Sequence, residues 1–433
     1  MISLTDYSLC RVPQNRRLPF LSVALVHMGM LTALDQFMLG AVLGHAMTLT
    51  DAYIAIAIGS LIFGVVTLGL GLAGMREGLS GSLLARWCGF GRIGSALIGI
   101  VIAISLLGWF GVQNAVFAKG LNYALNDALG FKGAAILSGT AITLLVAYGF
   151  DALKVTAKLA VPIFIVVVGY ISVTTLSGHN PIELFQRTPG GSAMSIGEGI
   201  TMVVGGSIVA GLITPDMSRY CRNGKHVFWM TTLTIVVGEF IINGVAIMIA
   251  RALNMSDVVT IMAQTAGGMG LVTVIFSTLR INDINLYSSS LGIANAVEML
   301  VGKKIRYVWI TLLIGFTGTA FSAMGILERF VDFLNFLGIL FPPIIGIMLV
   351  DYYILRSHRD VLDATRLNHT LPDGAATPAI GWCAIVSWLT GSIVGFAVEA
   401  GVSSLNSLFA ASALYWLINV ALRAPKRRSQ SFG

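Results

Sequence analysis

The sequence predicts an all-α polytopic membrane protein. Of its 433 residues, 56% are hydrophobic and 11% are charged, whereas soluble domains carry about 25% charged residues. Mean hydropathy is +0.85. Apolar runs of about 20 residues, the length that crosses the hydrocarbon, recur at 20–47, 52–75, 91–118, 133–150, 155–177, 197–216, 227–250, 262–290, 306–324, 328–351, 378–398 and 402–422. They predict 12 transmembrane helices joined by short loops, except at 178–196 and 357–377.

The same composition excludes several classes of function. The opening stretch MISLTDYSLCRVPQNRR is polar and basic, unlike a signal peptide, whose apolar region would fall here. Cys10, Cys88, Cys221 and Cys383 show no CxxC spacing, so neither a disulfide framework nor a zinc site is suggested. The net charge of +7 resides in inter-helix loops and is no nucleic-acid signal. HExxH, GxSxG and His–carboxylate clusters are absent, so no enzyme, catalytic residue, metal or cofactor is expected. The six histidines (His27, His45, His179, His226, His358, His369) are scattered, most of them near span ends. A channel is disfavoured because no span carries a polar stripe along its length. A non-transporting sensor would need a larger cytoplasmic part than the final APKRRSQSFG.

Lysine and arginine set the sidedness. With the N-terminus cytoplasmic, 21 of the 27 basic residues fall on one side and five on the other: Lys119, Lys132, Arg187, Arg251 and Arg329. This predicts cytoplasmic tails at 1–19 and 423–433. The remaining basic residue, Arg280, belongs to no loop. It lies in Phe276-Ser277-Thr278-Leu279-Arg280-Ile281-Asn282-Asp283, inside the eighth apolar run. A guanidinium at bilayer depth costs about 2.5–3.5 kcal/mol on insertion scales, so it must be opposed or used.

Three spans read as discontinuous. The first carries Leu34-Asp35-Gln36 at mid-depth, the sixth carries Val204-Gly205-Gly206-Ser207, and the tenth carries Gly338 followed by Pro342-Pro343. Glycine permits unwinding and proline breaks the helical ladder. A single glycine pair is more often a packing feature. Breaks in spans one and six match, however, if residues 20–177 and 197–351 form two inverted halves, with 378–422 added. Paired interruptions point to a transporter's binding site.

The ionisable groups at depth are Asp35, Glu239, Arg280 and Asp283, with Glu198 and Glu298 nearer span ends. Asp35 and Arg280 are the natural opposite pair, either as a salt bridge locking two helices or as a gating or proton-linked pair. Glu239 is expected to bond backbone or Asn243 at i+4. Trp109, in Gly108-Trp109-Phe110-Gly111, sits at mid-depth, where its flat face suits a planar ligand or simply packs in the core.

Several stretches read together resemble the bacterial cytosine permeases of the nucleobase:cation symporter-1 family. They are LLARWCGFG at 83–91, LGWFGV at 107–112, VVGGSIVAGLITPDMSRYCRN at 203–223, NDINLYSSSLGIAN at 282–295 and FLGILFPPIIGIMLVDYY at 336–353. The resemblance covers about residues 15–425. It implies a LeuT-type fold, a 5+5 inverted repeat plus two extra helices, in a bacterial inner membrane. It also implies uptake of a nucleobase or similar heterocycle between spans 1, 3, 6 and 8. In that comparison Trp109 stacks on the base, the regions of Asp35, Gln36, Gly206 and Ser207 present polar and backbone groups, and Ser277 and Asn282 contribute from span eight.

Three departures shape the expectation. The family's Thr-Thr pair before the Asn-Asp of span eight, which helps to hold Na⁺, is Arg280-Ile281 here. A guanidinium offers only donors and repels a cation. A glutamine one turn before the tryptophan is Leu106, and an aromatic in the span-six break is Ser207. The expected function is therefore a secondary transporter of a planar heterocycle, not sodium-coupled, with Arg280 in place of the cation. Asp35 is the expected proton carrier and Asp283 the alternate. A sodium-coupled symporter with ligands rearranged around Asp35 is the second reading, so proton and sodium are the candidate coupling ions.

Overall fold

Helix follows helix along this chain because apolar segments in lipid must satisfy their backbone groups internally. The computed structural model describes residues 7, 10–148, 152–303, 305–368, 370–373 and 377–428. The end of the fourth predicted span (149–150), Lys304, His369 and parts of both tails (1–6, 8–9, 429–433) lie outside the described residues. Among the described residues there is no strand. Among the described residues nine helices are long and apolar enough to cross a membrane, or ten when one bent pair counts as a single span. Two more apolar helices are shorter.

In chain order, α1 (Phe20–Leu31) and α2 (Leu34–Ala46) are the bent pair, at 45°. Then come α3 (Leu49–Glu77), α4 (Gly91–Ala124), α5 (Gly130–Tyr148) and α6 (Ala152–Leu176). After the long loop follow α7 (Ile196–Ser218) and α8 (Gly224–Leu253), which contains a π-helical turn at Ile235–Ile241. The 44-residue α9 (Val258–Val301) is kinked at Gly267. Next are α10 (Tyr307–Ala323), α11 (Phe330–Leu340) and α12 (Pro342–Leu349). A short polar helix, α13 (Arg359–Leu367), precedes α14 (Trp382–Ala397) and α15 (Ser403–Arg428). Local chemistry sets the ends: Thr48, Ser195, Asn223 and Asp257 accept backbone N–H bonds at the starts of α3, α7, α8 and α9. Gly78 and Gly302 close α3 and α9 in left-handed conformation.

The helices sort into two packed groups. In one, α3 lies on α7, while α1 and α2 lie on α8. In the other, α9 lies on α4 and α10 lies on α4 and α5. Helix α6 leans on α9, α11 on α7, and α12, α14 and α15 pack together. In lipid, close approach of small residues drives such packing. A Cβ at Gly40 would stand 2.5 Å from the Asn243 carbonyl oxygen, and one at Gly44 2.6 Å from that of Ile247, so α2 lies backbone to backbone on α8.

The breaks differ from expectation in two of three places. Span one breaks at Thr32–Ala33, ahead of the predicted Leu34-Asp35-Gln36, which form the first turn of α2. Span six does not break: α7 runs helical through Val204-Gly205-Gly206-Ser207. The glycines there serve packing, since a Cβ at Gly205 would collide with the Leu334 carbonyl of α11. Span ten does divide, at Phe341 between α11 and Pro342. Sequence reading missed the π-turn of α8, the kink at Gly267, and the non-helical Cys88-Gly89 before α4.

Candidate functional site

The break in span one exposes backbone that no α-helix satisfies, and the eighth span answers it. Arg280 of α9 donates from Nη1 to the carbonyl oxygen of Gly29 at 3.1 Å. Its other terminal nitrogen crowds the same glycine, where a Cβ would stand 3.2 Å away. A tight crevice lined by Thr32, Ala33, Ala160, Val161, Phe164, Ser277 and Arg280 joins the break to α6 and α9. Asp35 does not close on Arg280: among the described residues no ion pair within 4.0 Å links them, contrary to the expected direct pair. As the second residue of α2, Asp35 instead lies buried in the first turn of that helix. One of its oxygens, Oδ1, is buried without a partner. Helix starts stabilise negative charge, so the position suits an anion.

The remaining sequence-predicted residues divide among three places. Gln36 is buried and accepts from Asn243 Nδ2 at 3.0 Å, leaving its own Nε2 unpartnered. Gly206 abuts it: a Cβ there would stand 2.5 Å from Leu39 Cδ1 and 3.9 Å from Gln36 Nε2. Ser207 donates to the Glu239 carboxylate. That overturns the expectation for Glu239, whose partner is neither backbone nor Asn243, because the π-turn rotates it toward α7.

Trp109 of α4 is buried and meets two rings of α11 edge-on: Phe333 at 5.4 Å and Phe330 at 6.2 Å between centroids. Ser277 is buried with its hydroxyl unpartnered, beside Arg280. Asn282 faces α4. With its amide oriented to satisfy both neighbours, it donates to the Phe110 carbonyl at 3.3 Å and accepts from the Asn114 N–H at 3.1 Å. Asp283 is half-buried, and among the described residues it forms no ion pair with Arg280.

The geometry thus brings Asp35, Ser277 and Arg280 to the break, Gln36, Gly206 and Ser207 to the α2–α7–α8 contact, and leaves Trp109 beside α11. Among the described residues no group of three His, Cys, Asp or Glu side chains could hold a metal ion.

A scan against family models matches residues 11–418 to the permeases for cytosine/purines, uracil, thiamine and allantoin. The chain belongs to this family. Among curated relatives, the cytosine permease of Escherichia coli strain K12 is 28% identical over 424 residues, spanning 96% of this chain and 95% of that one. The allantoin permease of Bacillus subtilis is 24% identical over 349 residues, 70% of this chain and 68% of that one. Among solved structures, the inward-facing conformation of Mhp1 superposes with TM-score 0.80 at 19% identity, covering 96% of this chain and 94% of Mhp1. Mhp1 in a closed conformation with bromovinylhydantoin bound gives 0.72 at 19% identity, covering 98% of this chain and 97% of that one. Members of this permease family are membrane transporters, not enzymes, and the fold is shared with the structural neighbours.

Several residues that the structure places at or near these contacts escaped the sequence reading. The Gly29 carbonyl is invisible to any side-chain motif. Phe330 and Phe333 lie two spans before the end and carry no signal linking them to Trp109. His27 could have been found, as a polar group inside an apolar run. It is buried, with Nδ1 2.8 Å from the Thr234 hydroxyl and Nε2 3.0 Å from that of Thr214, not at a span end.

Proposed function

We propose that this chain is a secondary transporter of cytosine or a related planar nucleobase-type heterocycle. It works by alternating access across a bacterial inner membrane and without sodium coupling. The observation that carries the reading is the Arg280 guanidinium on the Gly29 carbonyl, immediately before the break in span one. A fixed cation at that point supplies the charge that a bound sodium ion would otherwise bring and takes up the carbonyl that would ligate it. Family membership and the named substrates of the relatives support the ligand class. Pyrimidines, allantoin and hydantoins share ring N–H and C=O edges.

In this reading Trp109 offers the aromatic surface, while the unpartnered Nε2 of Gln36 and hydroxyl of Ser277 present hydrogen-bonding groups. Gly206 permits close approach, and Ser207 and Asn282 adjust the edges of the site. Asp35, Arg280 and Asp283 form the region that stands in for a cation site. The topology proposed is twelve spans, with the two shorter apolar helices α10 and α14 counted in. The inverted halves are 20–177 and 197–351, with 378–422 appended and both tails cytoplasmic.

Uptake of radiolabelled cytosine, uracil and allantoin into proteoliposomes with imposed gradients tests the reading. Accumulation that requires an inward Na⁺ gradient and ignores ΔpH would sink it. One observation favours the sodium-coupled alternative: the buried, unpartnered Asp35 Oδ1 is a free oxygen ligand. Sodium-dependent thermal stabilisation of the purified protein would mark that case.

A further inference from the structure

The inner face of α8 carries a polar ladder through the membrane interior. Thr234 holds His27 of α1, Glu239 holds Ser207 of α7, and Asn243 holds Gln36 of α2. In a regular α-helix residues five apart point in different directions. The π-turn at Ile235–Ile241 widens the helix so that Thr234 and Glu239 share a face. The turn also seats Gly238 on the break of span one, where a Cβ would stand 2.7 Å from Leu31 Cβ and 3.0 Å from its carbonyl oxygen.

Glu239 is fully buried. Its neighbours are hydroxyls, Ser207 on one oxygen and Ser60 of α3 beside it. The second oxygen, Oε2, has no partner, and neither have Gln36 Nε2 and Asn243 Oδ1 in the same ladder. On α1 and α2, which lie on α8, the ionisable groups are His27, engaged by two threonine hydroxyls, Asp35, at the start of α2, and His45, in its last turn. On the helices packed against the π-turn, Asp51, Arg76 and Glu77 of α3 and Lys225, His226 and Arg251 of α8 lie toward helix ends. Tyr53 of α3 is engaged by the Gly244 carbonyl. On α7, Glu198 and Asp216 are likewise terminal. No cation lies within ion-pair distance of Glu239 among the described residues.

We propose that Glu239, rather than Asp35, is the proton-binding site of transport, resting on the transporter reading above. Asp35 has a helix start and Arg280 to offset its charge. Glu239 has neither, and burial without a counter-charge strongly disfavours an ionised carboxylate. The packed ladder therefore forms only with a proton on Glu239. When the site opens outward, the carboxylate takes one proton from the outer water, on Oε2. When it opens inward, the acid returns that proton to the cytoplasmic water. Ser207 and Gly206 sit one residue apart on α7, so the state of Glu239 is felt at the substrate contact.

The test uses the full chain in proteoliposomes with radiolabelled cytosine, uracil and allantoin. In Glu239→Gln, a permanent mimic of the neutral acid, accumulation driven by an inward proton gradient falls to the level without a gradient. Exchange of external for preloaded base persists. Glu239→Asp regains part of the gradient response. Gradient-driven accumulation by Glu239→Gln, or loss of both accumulation and exchange in a folded Glu239→Asp, overturns the proposal. Infrared spectra supply a readout independent of substrate: a protonated-carboxyl C=O band of the wild type at neutral pH disappears in Glu239→Gln. An unchanged band also overturns it. If wild type neither accumulates nor exchanges any of the three bases, the transporter reading fails, while the infrared result still decides whether Glu239 holds the proton.

Discussion

Arg280 and Gly29 lie 251 residues apart in the chain, yet the guanidinium of one donates to the backbone carbonyl of the other at 3.1 Å. The bond joins the two helix groups: Gly29 is on α1, Arg280 on α9. It also sits within four residues of the break at Thr32–Ala33. A rocking motion between the groups must stretch or break it, which places a charged hydrogen bond at the hinge of the proposed cycle.

Replacing Arg280 by Thr, alone and with Asp35→Ser, removes the fixed cation and restores an oxygen. A hydrogen bond to a charged group contributes about 1.5–3 kcal/mol. The single variant is expected to melt at lower temperature and to gain stabilisation by Na⁺ that the wild type lacks. Thermal melts with NaCl against choline chloride check this. A variant indifferent to Na⁺ and unimpaired in uptake contradicts the assigned role.

Glu77, buried at the end of α3, gathers Arg11 at 2.9 Å, Arg366 at 3.1 Å and the Tyr352 hydroxyl at 2.7 Å. It ties the N-terminal segment and α13 to the bundle. Glu77→Gln leaves Arg11 buried without its counter-charge, and breaking such a pair costs about 3–5 kcal/mol. The expected result is a marked drop in melting temperature in detergent, with α13 becoming sensitive to limited proteolysis.

Gly205→Ala forces a methyl into the Leu334 carbonyl and pushes α11 from α7. Overpacking of this kind costs about 1–3 kcal/mol or more. Gly268→Ala meets nothing within 4 Å and serves as the control. Folded yield by size-exclusion profile should fall for the first and hold for the second.

Phe333→Ala removes a ring that meets Trp109 edge-on, a contact worth about 0.5–1.5 kcal/mol. Trp109→Ala should abolish stabilisation by cytosine or a related base. Phe333→Ala should weaken it, because the indole loses the ring that fixes its orientation. Ligand-induced shifts in melting temperature rank the two variants.

At the start of α9, outside the apolar span, Asp257 is partly buried, which alone would raise its pKa. The bonds from Lys119 and Thr260 outweigh that burial and hold the carboxyl below its ordinary value of 3.8. A depressed carboxylate contributes stability that is complete above the unfolded value. That contribution is lost as pH falls through the folded one. Melting temperature should therefore decline below about pH 4 less steeply in Asp257→Asn than in wild type.

Much of the fold was legible because lipid imposes one rule on every segment. Apolar runs near 20 residues, loop charges and the Pro342-Pro343 pair are local signals, and α12 starts at Pro342 as they require. The glycine pair at 205–206 misled because the same residue type serves two physical ends, unwinding and close packing. Which one applies depends on α11, a neighbour more than a hundred residues away. The break in span one was misplaced by two residues because Thr32-Ala33 carries neither glycine nor proline.

The sequence by itself determined the membrane class and the short inventory of polar groups at depth. Only the tertiary structure decided what those groups face. It put Arg280 on a backbone carbonyl instead of on Asp35, and Glu239 on Ser207 instead of on Asn243. Spacing along a helix fixes a face only while the helix is regular. The π-turn of α8 resets that face, and partners on other helices are chosen by packing that no local pattern encodes.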